Sequence, residues 1–192
     1  MGLLAVTDAN HSAGADHHGR GENFPPVPIE ENMKKELPCI SKAMLVGDKR
    51  KILAMLLTLK SEVNMETGKS TDELSAEVKS WLRECDCFAG TETELLCENS
   101  NKVMQHQNNS TYSTSKSEAN FFPLPQEIVM EAIQKGIDRA NSKAISNSQK
   151  IQKFAILPVD FSIPSGELGP TLKLKRNVIA DKYNSIIENF YK

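Results

Sequence analysis

A lysine in a glycine-rich stretch near the end of the chain is the residue best placed to do chemistry. The stretch reads Gly166-Glu-Leu-Gly-Pro-Thr-Leu-Lys-Leu-Lys-Arg176, and Lys173 follows its glycines and its proline. Glycine and proline interrupt regular backbone, so we expect an exposed loop here. A lysine on such a loop can present a compact positive charge to a carboxylate or a phosphate. The alternative is an ordinary solvated lysine, because Lys175 and Arg176 stand beside it and runs of charge are often simply solvated.

The strands that must hold this loop are predicted from short apolar runs. Residues 43–46 and 52–59 form two such runs on either side of a Gly-Asp turn, which predicts two buried strands in a hairpin. The leucine, methionine and alanine content of the second run leaves a helix open there. Residues 154–157, cut by Pro158, predict a third strand.

Helices are predicted where apolar residues recur at helical spacing. A short helix should begin near Pro28 and end before Pro38, and another should follow a cap at Ser70 or Ser75. The stripes of the second, third and last helices are Val78, Trp81, Leu82 and Cys85; Val129, Ala132, Ile133, Gly136, Ile137 and Ala140; and Ile179, Tyr183, Ile186, Ile187 and Phe190. The result is a small α+β domain, with a three-stranded sheet flanked by helices.

Changes of composition divide the chain into four parts. Residues 1–18 are small and polar without periodicity, which predicts a disordered leader. Residues 19–98 should form the first part of the folded domain. Residues 99–126 are rich in Asn, Ser, Gln and Thr and should be a flexible insertion. Residues 127–192 should form the second part of the domain, which carries the lysine loop.

Composition also excludes several classes of function. The net charge of −2 gives no general attraction to nucleic acid or to an anionic membrane. No run of eighteen apolar residues exists, so no membrane span is expected. The first residues lack the basic region of a secretory signal, so we expect a cytoplasmic chain with reduced cysteines. Cys85 and Cys87 could bind a metal, but no second ligand pair follows at zinc spacing, so no metal site is predicted.

Three stretches of the chain carry a family resemblance. The first runs from Gly21-Glu-Asn-Phe-Pro-Pro to Ala43-Met-Leu-Val-Gly-Asp48, and the second is Met55-Leu-Leu-Thr-Leu-Lys60. The third begins at Glu131 and continues through Asp160-Phe-Ser-Ile163 to the loop that ends at Arg176. In this order the three resemble the C-terminal lid domain of adenylate-forming enzymes, and most closely that of bubblegum-type long-chain acyl-CoA synthetases.

The resemblance implies a two-step reaction and a role for Lys173. In the family, ATP and a long-chain fatty acid form an acyl-adenylate and pyrophosphate; the lid then rotates, and the thiol of coenzyme A displaces AMP. The family lysine that supports the first step matches Lys173. A positioned ammonium offsets the repulsion between an attacking carboxylate and the α-phosphate. ATP and coenzyme A are then substrates, with Mg²⁺ accompanying ATP, and we expect none of them to bind this chain alone tightly.

A second family motif falls at Gly21, Glu22 and Asn23. These residues match a Gly-Gly-Glu-Asn turn, which in the family lies near the channel for the pantetheine arm of coenzyme A. Arg20 stands in place of the other glycine, and arginine adopts positive φ angles poorly. An ordinary turn is the alternative interpretation.

The larger domain of the family is not represented in this sequence. There is no Ser/Thr/Gly-rich phosphate loop ending in lysine, and no aromatic-Gly-Thr-Glu segment for adenine and magnesium. We therefore expect a fragment that is inactive alone and whose partner is the adenylating domain of a full-length enzyme. Peripheral membrane association is compatible with this. The alternative is a truncated, non-catalytic interaction or regulatory protein. A nucleic-acid-binding module lacks the required basic-aromatic pattern.

Overall fold

The computed structural model describes residues 6–8, 25–47, 50–85 and 125–192. Within these ranges the chain forms a four-stranded sheet, a separate two-stranded hairpin, and helices on both faces of the sheet. In chain order the elements are β1 (Val6–Asp8), α1 (Pro26–Glu36), β2 (Ile40–Val46), β3 (Leu53–Leu59), β4 (Ser61–Val63), β5 (Ser70–Leu74), α2 (Ala76–Glu84), α3 (Pro125–Ser142), a 3₁₀ turn (Asn147–Gln149), β6 (Ile151–Leu157), α4 (Arg176–Lys182) and α5 (Asn184–Asn189).

The main sheet has the strand order β1-β6-β3-β2. Strands β2 and β3 pair antiparallel, which confirms the predicted hairpin. Strand β6 confirms the third predicted strand and lies parallel to β3, because the chain between them crosses over one face through α3. Strand β1 pairs antiparallel with the outer edge of β6. The α+β class predicted from the sequence is therefore correct.

Strand β3 is buried along its whole length because both faces of the sheet are covered. On one face Met55, Leu57 and Leu59 pack in a core with residues of α1, α2 and α3. On the other face Ala54 and Leu56 pack in a second core with residues of α4 and α5. Side chains of a strand alternate between faces, so a strand covered on both sides is apolar throughout. This burial explains the continuous apolar run that left a helix open in the sequence.

The helices differ from the predicted ones mainly at their ends. Helix α1 begins at Pro26 rather than Pro28. Helix α2 is capped by Ser75, whose hydroxyl accepts from Val78 N at 3.4 Å, while Ser70 lies in β5. The last predicted helix is divided at Tyr183 into α4 and α5. Ile179 of α4 and the isoleucines of α5 nevertheless reach the same second core.

Three strands were not predicted. Val6–Asp8 forms β1, although residues 1–18 were expected to be a disordered leader. Strands β4 and β5 form a small antiparallel hairpin before α2. All three strands are short, and none has the apolar alternation on which strand prediction depends. The rest of the leader, and residues 99–124 of the expected insertion, lie outside the described residues; α3 begins at Pro125, within the expected insertion.

Gly136 allows α1 and α3 to pack closely. A Cβ atom built at this position would lie 2.4 Å from Cγ of Leu37, which is 1% exposed. Gly136→Ala should gain up to about 1 kcal/mol from helix propensity and lose about 1–3 kcal/mol from overpacking. We expect a net decrease in the free energy of unfolding, measured by urea denaturation.

The control for this substitution is Lys135→Ala on the exposed side of α3. The Lys135 side chain is 66% exposed, so the free energy of unfolding should change by no more than about 0.5 kcal/mol. A Gly136→Ala variant more stable than the unsubstituted chain would contradict the close contact between the two helices.

Candidate active site

The lysine loop, residues 158–175, runs from the end of β6 to the start of α4. Its second half is a tight hairpin in which Gly169 N donates to Lys173 O at 2.8 Å and Leu172 N donates to Gly169 O at 2.9 Å. Leu168 and Leu174 face each other in an antiparallel bridge, and Leu168 is buried in the second core. The hairpin is therefore ordered and fixed to the sheet.

Two residues of the loop have left-handed backbone. Gly166 has a φ of 87°, a conformation that glycine adopts without steric cost. Leu172 has a φ of 59°, which is unusual for a residue with a Cβ, and its side chain is 60% exposed. Lys173 comes next and is exposed. Its ammonium group is therefore open to a ligand or to another domain.

Glu167 anchors the loop on the N-terminal side of Lys173. The residue is 2% exposed, and its carboxylate accepts hydrogen bonds from the Ser165 hydroxyl and, at 3.3 Å, from Ser162 N. Lys182 of α4 donates to the other carboxylate oxygen, which also lies 3.4 Å from the Tyr183 hydroxyl. The hydrogen bond that Lys182 donates to Glu167 raises the pKa of Lys182 because it stabilises the charged ammonium.

Glu30 anchors the loop on the C-terminal side. It lies on α1 and is 6% exposed. Each of its carboxylate oxygens accepts a hydrogen bond of 2.7 Å from one of the two terminal nitrogens of Arg176. Leu45 N of β2 donates to the same carboxylate at 2.7 Å. Arg176 is the first residue of α4, so this ion pair joins the end of the lysine loop to α1 and, through Glu30, to the edge strand β2.

Asp160 holds the beginning of the loop. Its carboxylate accepts from the buried Thr58 hydroxyl at 2.6 Å and from Phe161 N at 2.8 Å. Its carbonyl oxygen accepts from the Ser70 hydroxyl at 2.9 Å, which links the loop to the β4–β5 hairpin. The loop is thus attached to β3, β5, α1 and α4.

The structure places only part of the predicted site. Lys173 lies on an exposed, ordered loop, as predicted, whereas Gly21, Glu22 and Asn23 lie outside the described residues. Sequence reasoning missed the buried anchors Glu30 and Glu167. Glu30 did leave a signal, because it shares the helical spacing of two buried residues, Met33 of α1 and Leu37 directly after the helix. Glu167 left none that spacing could reveal.

The cysteines and the acidic residues do not form a metal centre within the described ranges. No group of three or more His, Cys, Asp or Glu side chains comes together there. Cys39 is buried, and burial raises the pKa of its thiol to about 12, so it remains protonated and unreactive at neutral pH. Cys85 is half-buried and Cys87 lies outside the described residues. In the same ranges no helix is long and apolar enough to cross a membrane.

The ion pair of Glu167 predicts a pH-dependent stability. Glu167→Gln should bring the pKa of Lys182 back towards its ordinary value of 10.5 and lower the free energy of unfolding at pH 7 by about 1–2 kcal/mol. A raised lysine pKa stabilises the fold fully below the unfolded pKa, and this contribution disappears as pH rises through the folded pKa. The difference between the two proteins should therefore shrink above pH 10.5.

Urea unfolding at pH 7 and at pH 11, with NMR titration of the Lys182 side chain, tests this prediction. Glu31→Gln is the control, because the carboxylate of the Glu31–Lys34 ion pair is 54% exposed and its pairing should contribute little to stability at either pH. A stability difference between the unsubstituted chain and Glu167→Gln that stays constant or grows from pH 7 to pH 11 would contradict the role given to Lys182.

Comparison with known proteins identifies a family model and curated relatives that match this chain. The family model described as the AMP-binding enzyme C-terminal domain matches residues 17–123, more than half of the chain. The long-chain-fatty-acid–CoA ligase heimdall of Drosophila melanogaster is 46% identical over 172 residues, which cover 90% of this chain and 24% of that protein. The long-chain-fatty-acid–CoA ligase ACSBG2 of Gallus gallus is 44% identical over 171 residues, with coverages of 89% and 19%.

A solved structure supports the fold alone. The adenylation domain of a carboxylate reductase from Mycobacterium chelonae matches with a TM-score of 0.50 at 12% identity, over 86% of this chain and 17% of that one. The chain spans about a quarter or less of the length of the curated relatives above. Lys173 lies beyond the residues that the family model matches. The chain belongs to the family of AMP-binding enzyme C-terminal domains, and its curated relatives are bubblegum-type long-chain-fatty-acid–CoA ligases.

Proposed function

We propose that this chain is the C-terminal lid of a long-chain fatty-acid–CoA ligase and that Lys173 supports the adenylation step. The full reaction converts ATP, a fatty acid and coenzyme A into acyl-CoA, AMP and pyrophosphate. A separate adenylating domain is the partner that holds ATP and the fatty acid. This chain supplies a positive charge at the right place for the first step.

The observation that carries the proposal is the way the loop is built around Lys173. The side chain is exposed. The backbone before it is fixed by the ion pair of the buried Glu167 with Lys182, and the backbone after it by the ion pair of Arg176 with the buried Glu30. A charge accelerates a reaction most when its position is set before the reaction begins, because no ordering is then needed in the transition state. A lysine that served only solubility would gain nothing from such anchors.

The ammonium suits the first step because both reactants are anions. An oxygen of the fatty-acid carboxylate attacks the α-phosphorus of ATP, a mixed anhydride forms, and the bond to pyrophosphate breaks. A unit charge about 4 Å from each anion offsets roughly 4 kcal/mol at an effective dielectric constant of about 20. In the second step the sulfur of coenzyme A attacks the acyl carbonyl and AMP leaves. This second step does not require the same ammonium.

The surface of the loop fits docking against a larger domain. Ile163, Leu172 and Val178 lie in or next to the loop and are 46%, 60% and 42% exposed. Exposed apolar side chains near a functional group commonly mark an interface. In the described ranges no three His, Cys, Asp or Glu side chains come together in a way that could hold a metal ion. The ion that accompanies ATP would be bound on the partner domain.

The proposal predicts a loss restricted to the first step when Lys173 is replaced. A chimaera joins the adenylating part of the Drosophila relative to residues 1–192 of this chain, which keeps β1, and ATP–pyrophosphate exchange with oleate reports adenylation. Lys173→Ala should lower the exchange rate about 100-fold, as is typical for removal of one group that stabilises developing charge. Transfer of oleate from supplied oleoyl-adenylate to coenzyme A should change little, because that reaction begins after the step that uses the lysine.

Lys175→Ala is the matched control, because Lys175 is exposed two positions further along the same loop. Its exchange rate should stay close to that of the unsubstituted chimaera. The purified chain alone should show no exchange. An inactive unsubstituted chimaera, equal losses in the two variants, or exchange by the isolated chain would each count against the proposed function.

A further inference from the structure

Glu30 and Glu167 are the two buried carboxylates among the described residues. Glu30 pairs with Arg176 at the start of α4, and Glu167 pairs with Lys182 in the same helix. Glu167 therefore lies before Lys173 in the chain, and Arg176 lies after it. Other ion pairs, such as Glu31–Lys34 and Glu73–Lys79, have carboxylates more than half exposed. The carboxylate of Glu36, which pairs with Arg139 and Lys143, is 14% exposed. In the described ranges, therefore, the two carboxylates that are buried both pair with cations of α4, next to the lysine loop.

The pair of Glu30 and Arg176 has the geometry that fixes orientation as well as distance. Each terminal nitrogen of Arg176 lies 2.7 Å from a different carboxylate oxygen. Two parallel hydrogen bonds between planar groups hold the guanidinium in one plane, which a lysine ammonium cannot do. Leu45 N holds the carboxylate from β2 at 2.7 Å. The position of Arg176 is thus set by both α1 and the sheet.

Arg176 lies three residues beyond Lys173, so at most roughly 10 Å of chain separates the fixed residue from the ammonium-bearing one. The intervening Leu174 packs partly against the second core, and Lys173 O accepts from Gly169 N at 2.8 Å. A displacement of Arg176 must therefore reach Lys173 through a short, hydrogen-bonded segment. Without this pair the loop would be anchored by an ion pair only on its Glu167 side.

Stability alone does not account for this ion pair, in which Glu30 is buried while the Arg176 side chain is 34% exposed. Removing the carboxylate from water costs about as much as its attraction to the guanidinium returns, so an apolar contact would often serve the fold equally well. What a bidentate ion pair adds is a single relative placement of the elements it joins. Glu30 and Arg176 are 146 positions apart in the chain, so this placement couples α1 to the last part of the chain.

We infer that Glu30 and Arg176 are positioning residues for the adenylation reaction, which they support by fixing the place of Lys173. The inference rests on the proposed function, since it assigns these residues to the same step. It predicts that weakening the pair slows adenylation and spares thioester formation. A purely structural role would instead affect the two steps together, because both need a folded lid.

Glu30→Gln and Arg176→Lys are the variants that test the inference. Glu30→Gln keeps an acceptor for Leu45 N, and Arg176→Lys keeps the positive charge, so both should fold. In the chimaera each should lower ATP–pyrophosphate exchange about tenfold, in line with the effect of small displacements of reacting groups. Transfer from supplied oleoyl-adenylate to coenzyme A should remain within about twofold. In the isolated chain, the amide hydrogens of Gly169 and Lys175 should exchange faster in both variants.

Arg139→Gln is the control, because its ion pair with Glu36 also joins α1 to a later helix but lies away from the lysine loop. It should change neither half-reaction. Exchange rates unchanged in Glu30→Gln and Arg176→Lys, or equal losses in both half-reactions, overturn the inference. If Lys173→Ala leaves adenylation unchanged, the proposed function fails, and the inference that rests on it fails as well. Faster amide exchange in Glu30→Gln and Arg176→Lys would then show only that the ion pair anchors the loop.

Discussion

A carboxylate that is removed from water needs a cation or several hydrogen-bond donors, and this requirement determines the structure of the lysine loop. Glu30 and Glu167 are buried, and their ion pairs fix one residue on each side of Lys173: Glu167 before it, through Lys182, and Arg176 after it, through Glu30. Each carboxylate holds a piece of backbone that would otherwise be an exposed loop. The same requirement leaves Lys173 as an exposed cation between two residues that cannot move freely.

The sheet makes this arrangement feasible because it is covered on both faces. Helices α1, α2 and α3 cover one face, and α4, α5 and Leu168 of the lysine loop cover the other. Glu30 lies on α1 and Arg176 begins α4, so their contact joins the coverings of opposite faces past the edge formed by β2. The lysine loop is consequently a part of the second core and not an appendage to it. A lid that rotates as one body would carry the lysine with it.

Local patterns in the sequence were enough for much of this fold. Continuous apolar runs identified β2, β3 and β6, and helical spacing identified α2 and α3, because these signals arise from burial of neighbouring residues. Prolines near its two ends identified α1. The glycines and the proline before Lys173 identified the loop, and its backbone at Gly166 requires the left-handed conformation that glycine supplies. The family resemblance added the role expected of the lysine.

The features that the sequence did not reveal all depend on distant partners. Nothing near Glu30 in the sequence points to its partner, and only the folded chain brings Arg176 to it across 146 positions. The ion pair of Glu167 with Lys182 likewise requires the loop to fold back on α4. Strand β1 is recognisable only by its pairing with β6, since three residues of ordinary composition carry no period. No glycine or proline in the sequence marks the break between α4 and α5 at Tyr183.

The central claim is that the ammonium of Lys173 itself drives adenylation, and restoring that group chemically is the most direct measurement. A Lys173→Cys chimaera treated with 2-bromoethylamine gains an ammonium on a side chain of nearly lysine length. ATP–pyrophosphate exchange should rise about tenfold or more on treatment, while an identically treated Lys173→Ala chimaera, which shares all the other cysteines, should not change. No rise in the cysteine variant, or the same rise in both, would contradict the claim.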